Sequence, residues 1–224
     1  NIRDLPGKYP FKIKLLEIKK ESKNYFNPCI PFNIGFREVE GDVVVIQSPE
    51  CYCTGNIIKH LQNNFKSGNY ATFACYSPSQ SNSARFASIS PIGPTFEQDH
   101  IDLLKEMRQE SADAVGRVDS WYNHSKHRPC HFHFTAAIAK EDLDDLNGFD
   151  ERYSQGFGYD DNELLTRAQR KGLSCPIYDD LVVIHQFHPM FYDNGAAPLN
   201  NDLFAGVTLK ETTWSANPGT VYGQ

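Results

Sequence analysis

The sequence predicts an α/β sandwich with a mainly parallel central sheet, and three observations predict it. Runs of β-branched residues, "VVVIQ" (43–47) and "LVVIHQF" (181–187), alternate with helix-like patterns along the chain. Continuous apolar runs of that kind suit strands covered on both faces. With 224 residues, 40% hydrophobic and 22% charged, the chain can bury a sizeable core as one domain, 1–224.

Each element has its own signal. "FKIKLLEI" (11–18) predicts a first strand between a Pro/Gly turn and a Lys-rich exit. After the loop "KNYFNPCIPF", the stretch "NIGFREVEGD" predicts a short helix ending at Gly41, and "VVVIQ" a strand buried on both faces. Thr54 is a candidate cap for a helix through "GNIIKHLQNNF", with Ile57, Ile58 and Leu61 on one face. "YATFACYS" (70–77) predicts a strand, and the Ser/Pro/Asn-rich stretch over 78–97 a long loop or lid. A helix follows through "TFEQDHIDLLKEMRQESADA", with Ile101, Leu104 and Met107 spaced for one face, then a strand at "HFHFTAAIA" (131–139). "KEDLDDL" and "DNELLTRAQRKG" predict two helices, the second stopped by Gly172, before the last buried strand at "LVVIHQF". The tail over 190–224 is Asn/Gly/Pro-rich and reads as irregular.

The bulk numbers exclude several classes. A formal net charge of −6 argues against a nucleic-acid partner. No apolar run approaches the roughly 20 residues of a membrane span, and the N-terminal stretch lacks a signal-peptide core. The six cysteines are scattered without a CxxC pair, which favours buried free thiols over a zinc ribbon or a disulfide framework. These features give a cytoplasmic expectation, or the cytoplasmic face of a membrane with attachment through segments outside this sequence. The Asn123-His124-Ser125 sequon is a triplet common by chance.

Chemistry concentrates where strands end: "QSPE" follows "VVVI", and "HQFH" follows "LVVI". In "GFGYDDNELL" (156–165), two acids follow glycines at 156 and 158 at a helix start. One carboxylate there is explained as an N-cap, but a cap needs only one acid and neither glycine.

The stretch "LNGFDERYSQGFGYDDNELLTRAQRKG" resembles the C-terminal half of GT-A fold glycosyltransferases, family-2-like and β-galactosyltransferase-like. The match runs through Gly148-Phe149-Asp150-Glu151, Gly156, Gly158, Asp160-Asp161, Leu164, Arg167 and Gly172, with Asn33, Gly35, Gly41 and Asp42 upstream. It covers about residues 11–190, weakly over 78–120. The resemblance implies a GT-A (Rossmann-like) three-layer sandwich lacking the usual first βαβ segment. It also implies inverting sugar transfer from a nucleotide-sugar donor to a saccharide or glycoconjugate acceptor, as in polysaccharide biosynthesis.

By position Asp161 is then the general base and Asp160 its acceptor-binding neighbour. Such enzymes usually hold Mn²⁺ or Mg²⁺ with Asp-x-Asp, but here the strand ends "IQSPEC", where Glu50 is the lone acid. Glu50, His185 and His188 are the candidate ligands. Asn33, Gly35 and Gln47 are expected on the donor side. Trp121, Tyr122 and Gly158 are expected at the acceptor; Trp121 and Tyr122 stand in "DSWYNHSKHRPCHFHF", whose aromatics and histidines suit a sugar cleft better than a zinc site. The rival expectation is a non-catalytic GT-A-like module that binds glycans or serves structure.

Overall fold

The computed structural model describes residues 2–89, 96–107, 119–189 and 196–223. Six strands make one sheet: β1 (Val43–Gln47), β2 (Cys51–Cys53), β3 (Tyr70–Ser77), β4 (Ser120–Asn123), β5 (Thr135–Ala139) and β6 (Ile177–His185). Their order is β1-β5-β3-β6-β2, with β4 also paired to β3.

Among the strands of the described residues only β3 and β6 pair in parallel; the other four pairings are antiparallel. The mainly parallel sheet expected from the sequence is therefore corrected to a mixed, mostly antiparallel one. The pairings make β1, β3 and β6 run the same way, but β5 enters between β1 and β3 in the opposite sense. Alternation of strands and helices says nothing about which strand becomes whose neighbour.

β1 and β2 stand at opposite ends of that order, yet only the turn 48–50 separates them. Cys51 N–H closes the turn on the Ser48 carbonyl (3.0 Å), and Gln47 Nε2 reaches the Cys51 carbonyl (3.1 Å). The sheet must therefore curl until its two edges meet at this turn, because three linking residues cannot span four strand spacings.

Helices cover both faces. Alternation along β5 sends Ala136 and Ile138 to a core shared with α1 (Cys29–Arg37), α5 (Lys140–Leu146) and α6 (Asp160–Lys171). Ala137 turns the other way, to Ile57 and Leu61 of α2 (Ile57–Asn64). A third cluster joins Tyr76, Trp121 and Ile184 to Phe86 of α3 (Gln80–Ser88) and Leu104 of α4 (Phe96–Met107).

Several sequence expectations change. Residues 11–18 form no strand, and Phe11 is 63% exposed; β propensity does not make a strand without an edge to pair with. α1 starts at Cys29, with Pro28 at its cap and Pro31 third in its first turn, where a missing N–H costs nothing. β1 is an edge strand, so only Val44 and Ile46 are buried. Asn56, not Thr54, caps α2, accepting from Lys59 N–H at 2.9 Å, while Thr54 Oγ1 donates to Val182 and Ile58 is exposed.

Within the expected loop, Ser79 caps the helix α3; residues 90–95 of that stretch, and the end of the next helix beyond 107, lie outside the described residues. Leu104 is buried whereas Ile101 is exposed. The tail contains α7 (Ala196–Gly206). All six cysteines are unpaired, and Cys29, Cys51 and Cys75 are buried. Among the described residues no helix is long and apolar enough to cross a membrane.

Candidate active site

The loop before α6 is built to deliver two carboxylates. Asn33 of α1, fully buried, donates to the Phe149 carbonyl (2.9 Å) and Glu151 Oε1 (2.9 Å) and accepts from Phe149 N–H (2.8 Å). Gly148 sits beneath it at φ +67°, where a Cβ would overlap Asn33 Oδ1. Gly156 lies against the Asn200 side chain, whose Nδ2 donates to the Gly158 carbonyl (2.7 Å). Gly158 and Tyr159 then adopt left-handed backbone (φ +66° and +65°), which turns the chain into α6.

Neither aspartate serves as the helix cap: Tyr159 holds that position, and Asp160 and Asp161 lie in the first turn. Both are stabilised there by free N–H groups, yet their side chains point to other partners. Asp160 is buried and its Oδ1 accepts from Asn27 Nδ2 at 2.7 Å. Asp161 Oδ1 accepts from the His133 backbone N–H at 2.6 Å and lies against His133 Nδ1. His133 Nε2 stands 3.6 Å from Asp160 Oδ2, and its ring meets Phe32 and Phe149 at 5.4 and 5.0 Å. Burial alone would push the His133 imidazole down, but Asp161 and then Asp160 outweigh it and raise it to about 9. Burial, reinforced by the Asp161 charge, pushes the Asp160 carboxyl up.

A second set stands where the sheet edges meet. Glu50 Oε1 lies 3.5 Å from His185 Nε2, and His188 packs its ring 5.2 Å from that of His185. One donor atom from each of Glu50, His185 and His188 falls within 4.8 Å of the others. The His185 imidazole holds the Glu50 carboxyl below its usual range, against the effect of burial. One carboxylate and two imidazoles fit a divalent cation that accepts mixed N/O ligands, Mn²⁺ better than Mg²⁺. His133, Asp160 and Asp161 are also close enough to share an ion. There, however, both ring nitrogens already face carboxylates and Asp160 holds the Asn27 amide, which makes a closed acid–imidazole–acid cluster.

The two sets adjoin through successive residues. His133 belongs to the first, while the Phe134 ring stands 5.1 Å from His185 and its carbonyl accepts from Ser48 N–H in the Glu50 turn (2.9 Å).

The other sequence-derived candidates scatter. Asn33 uses its amide within the fold, and Gly35 lies in the last turn of α1, its carbonyl accepting from Glu38 N–H. Gln47 bridges to β2, bonded to the Cys51 carbonyl and approached by Cys53 Sγ. Neighbours on a strand face opposite ways, and this separates Trp121 from Tyr122. Trp121 is 8% exposed and packs on Tyr76 and His124 in the core, whereas Tyr122 stacks on Phe134 and meets His185 edge-on at 5.0 Å. Asn123 of the sequon is fully buried, donating to the Phe73 carbonyl, so the folded chain does not offer it for glycosylation. Asn27 and His133 were not singled out as partners of the acid pair. His133 carried a signal in the "HFHF" repeat, but Asn27 had none.

A family model described as the N-terminal domain of galactosyltransferase matches residues 131–191, the stretch that contains His133, Asp160, Asp161, His185 and His188. This match bears out the resemblance seen in the sequence and supports a glycosyltransferase. No curated protein sequence matches the chain.

Proposed function

We propose that this chain transfers a sugar from a nucleotide-sugar donor to a hydroxyl of a saccharide or glycoconjugate, with inversion at the anomeric carbon. The observation that carries this reading is the state of Asp161: one carboxylate oxygen is tied to His133, and Oδ2 has no hydrogen-bond partner among the described residues. A base needs such an oxygen within reach of the acceptor hydroxyl. Asp161 Oδ2 takes the hydroxyl proton as the acceptor oxygen bonds to the anomeric carbon. The bond from that carbon to the diphosphate oxygen breaks on the opposite face, and the nucleoside diphosphate leaves. Asp160, held by Asn27, lines the acceptor side.

Glu50, His185 and His188 would hold a divalent cation, which when bound supplies neutralisation of charge on the departing diphosphate. Their place beside Phe134, one residue from His133, supports a single cleft holding donor and acceptor. The proximity of the two sets and the galactosyltransferase match argue against a non-catalytic module.

Calorimetric titration of UDP, GDP and their sugars with and without Mn²⁺ tests the donor half. Release of nucleoside diphosphate in the presence of mixed saccharides tests the transfer. Asp161→Asn is expected to keep nucleotide binding and lose at least about a hundredfold in turnover. No nucleotide binding by the folded wild-type chain, or full turnover by Asp161→Asn, would sink the proposal.

A further inference from the structure

We infer that His133 is the positioning residue of Asp161, an imidazolium wedged between two carboxylates that selects which Asp161 oxygen faces the acceptor. The inference rests on the proposal that Asp161 is the base.

The geometry carries the charge state. Nδ1 lies against Asp161 Oδ1, and Nε2 stands 3.6 Å from Asp160 Oδ2. A neutral imidazole has one N–H and one lone pair, so it would turn a lone pair toward one of the two carboxylates. A protonated ring instead presents positive charge to both, as ion pairs rather than hydrogen bonds. The groups facing it agree: Asp160 and Asp161 from α6 and Glu50 from the β1–β2 turn are acidic and act on the ring. Tyr70 of β3 and Cys29 of α1, which interact with the same acids, are pushed up by burial and stay neutral. The value raised to about 9 follows from this surrounding.

The same geometry gives the ring a mechanical role. His133 holds Asp161 Oδ1 through one hydrogen bond, from its backbone N–H (2.6 Å), and its ring Nδ1 lies against the same oxygen as an ion pair without hydrogen-bond geometry. Rotation of the carboxylate would break both contacts, so Oδ2 is the oxygen left for the acceptor. The ring cannot swing away, because Phe32 meets it at 90° and Phe149 at 57°, and its side chain is 7% exposed. Without the imidazolium, two adjacent carboxylates would face each other in a poorly solvated pocket, and like-charge pairs of this kind hold a proton between them. A base carrying that proton cannot accept another. His133 thus acts through Asp161 and need not touch substrate.

The test uses the whole chain, in wild-type form and as His133→Phe and His133→Gln. Phe keeps an aromatic ring between Phe32 and Phe149 without a donor; Gln restores a donor without the charge. Imidazole NMR titration of wild type is expected to show His133 protonated beyond pH 8, and Asp161→Asn to lower its titration point. In nucleoside diphosphate release, His133→Phe is expected to lose about a hundredfold in kcat with donor KM within about threefold, and to move the acid limb of the pH profile upward. His133→Gln should fall between Phe and wild type. A neutral His133 at pH 7, or folded His133→Phe with wild-type kcat and acid limb, overturns the inference. Failure of wild type to bind any nucleotide would instead overturn the transferase proposal, and the ring titration would still decide the clamp.

Discussion

His185 Nε2 stands 3.5 Å from Glu50 Oε1, and the next residue, Gln186, donates its N–H to the Glu50 carbonyl at 3.0 Å. Side chain and backbone thus lock the turn after β1 to the end of β6. The register agrees, since Cys51 pairs with His185 across β2 and β6. Glu50 and His185 are therefore fixed by the sheet itself, whereas His188 lies three residues beyond the end of β6 and is exposed.

Removing a ligand from such a set costs affinity and not fold, because Glu50 and His188 are partly or fully exposed. Glu50→Ala and His188→Ala are each expected to weaken Mn²⁺ binding by at least the roughly 10–100-fold seen when even outer-shell partners are lost. Affinity should also fall on acidification as protons compete for the imidazoles. Calorimetry with Mn²⁺ alone measures both effects; unchanged affinity in both variants would remove these residues from the cation site.

The His133 clamp makes stability depend on pH. Its folded value, about 9, exceeds the ordinary 6.5, so the folded chain binds this proton more tightly than the unfolded one. The resulting stabilisation is complete below about 6.5 and is lost as pH rises through about 9. At about 1.4 kcal/mol per tenfold it is on the order of 3 kcal/mol. Urea unfolding at steps between pH 6 and 10 should show a decline that His133→Phe removes.

α6 is anchored by an ion pair with almost no solvent around it. Arg167 and Glu163 have side chains 2% and 1% exposed, joined through Nη2 and Oε2 at 2.7 Å and through Nε and Oε1. The guanidinium also donates to the carbonyls of Leu146 (2.6 Å) and Gly148 (2.8 Å), fixing the helix to the loop that leads to Asp160. Arg167→Met should cost about 3–5 kcal/mol by leaving Glu163 buried and unpaired. Denaturant titration should find a smaller loss at acid pH, where Glu163 takes a proton, and in the double variant with Glu163→Gln.

Two glycines are held by space. A Cβ on Gly148 would need left-handed backbone (φ +67°), overlap Asn33 Oδ1 and come 2.8 Å from Tyr222 Cγ. A Cβ on Gly156 would overlap the Asn200 carboxamide. Each alanine variant should lose about 1–3 kcal/mol. Gly158→Ala meets no neighbour and should cost less, near the roughly 1 kcal/mol of left-handed strain alone. Thermal unfolding of the three variants ranks them; equal losses would refute the steric account.

Much of the local structure was legible because its causes are local. The cores of β1, β3, β5 and β6 are runs of β-branched and small apolar residues, and α6 ends at Gly172 in left-handed backbone (φ +88°), as a glycine stop predicts. The acid pair at the mouth of α6 was likewise visible as a pattern. β4 and α3 were missed for the converse reason: a four-residue strand and a Ser-rich helix have weak patterns of their own, and only contacts with β3 and the core around Phe86 hold them.

What the sequence determined by itself is therefore the chemistry on offer: two carboxylates after a glycine-spaced turn, a lone Glu50, and histidines at the end of a buried strand. Tertiary structure decided how that chemistry is assembled. Asn27 reaches Asp160 across 133 positions, and His133 turns from a presumed strand residue into the link between two acids. Strand direction was decided at the same level, since β5 enters between β1 and β3 through hydrogen bonds that no single segment encodes. Periodicity records whether a residue is inside or outside; which distant residue it meets depends on the packing of the whole chain.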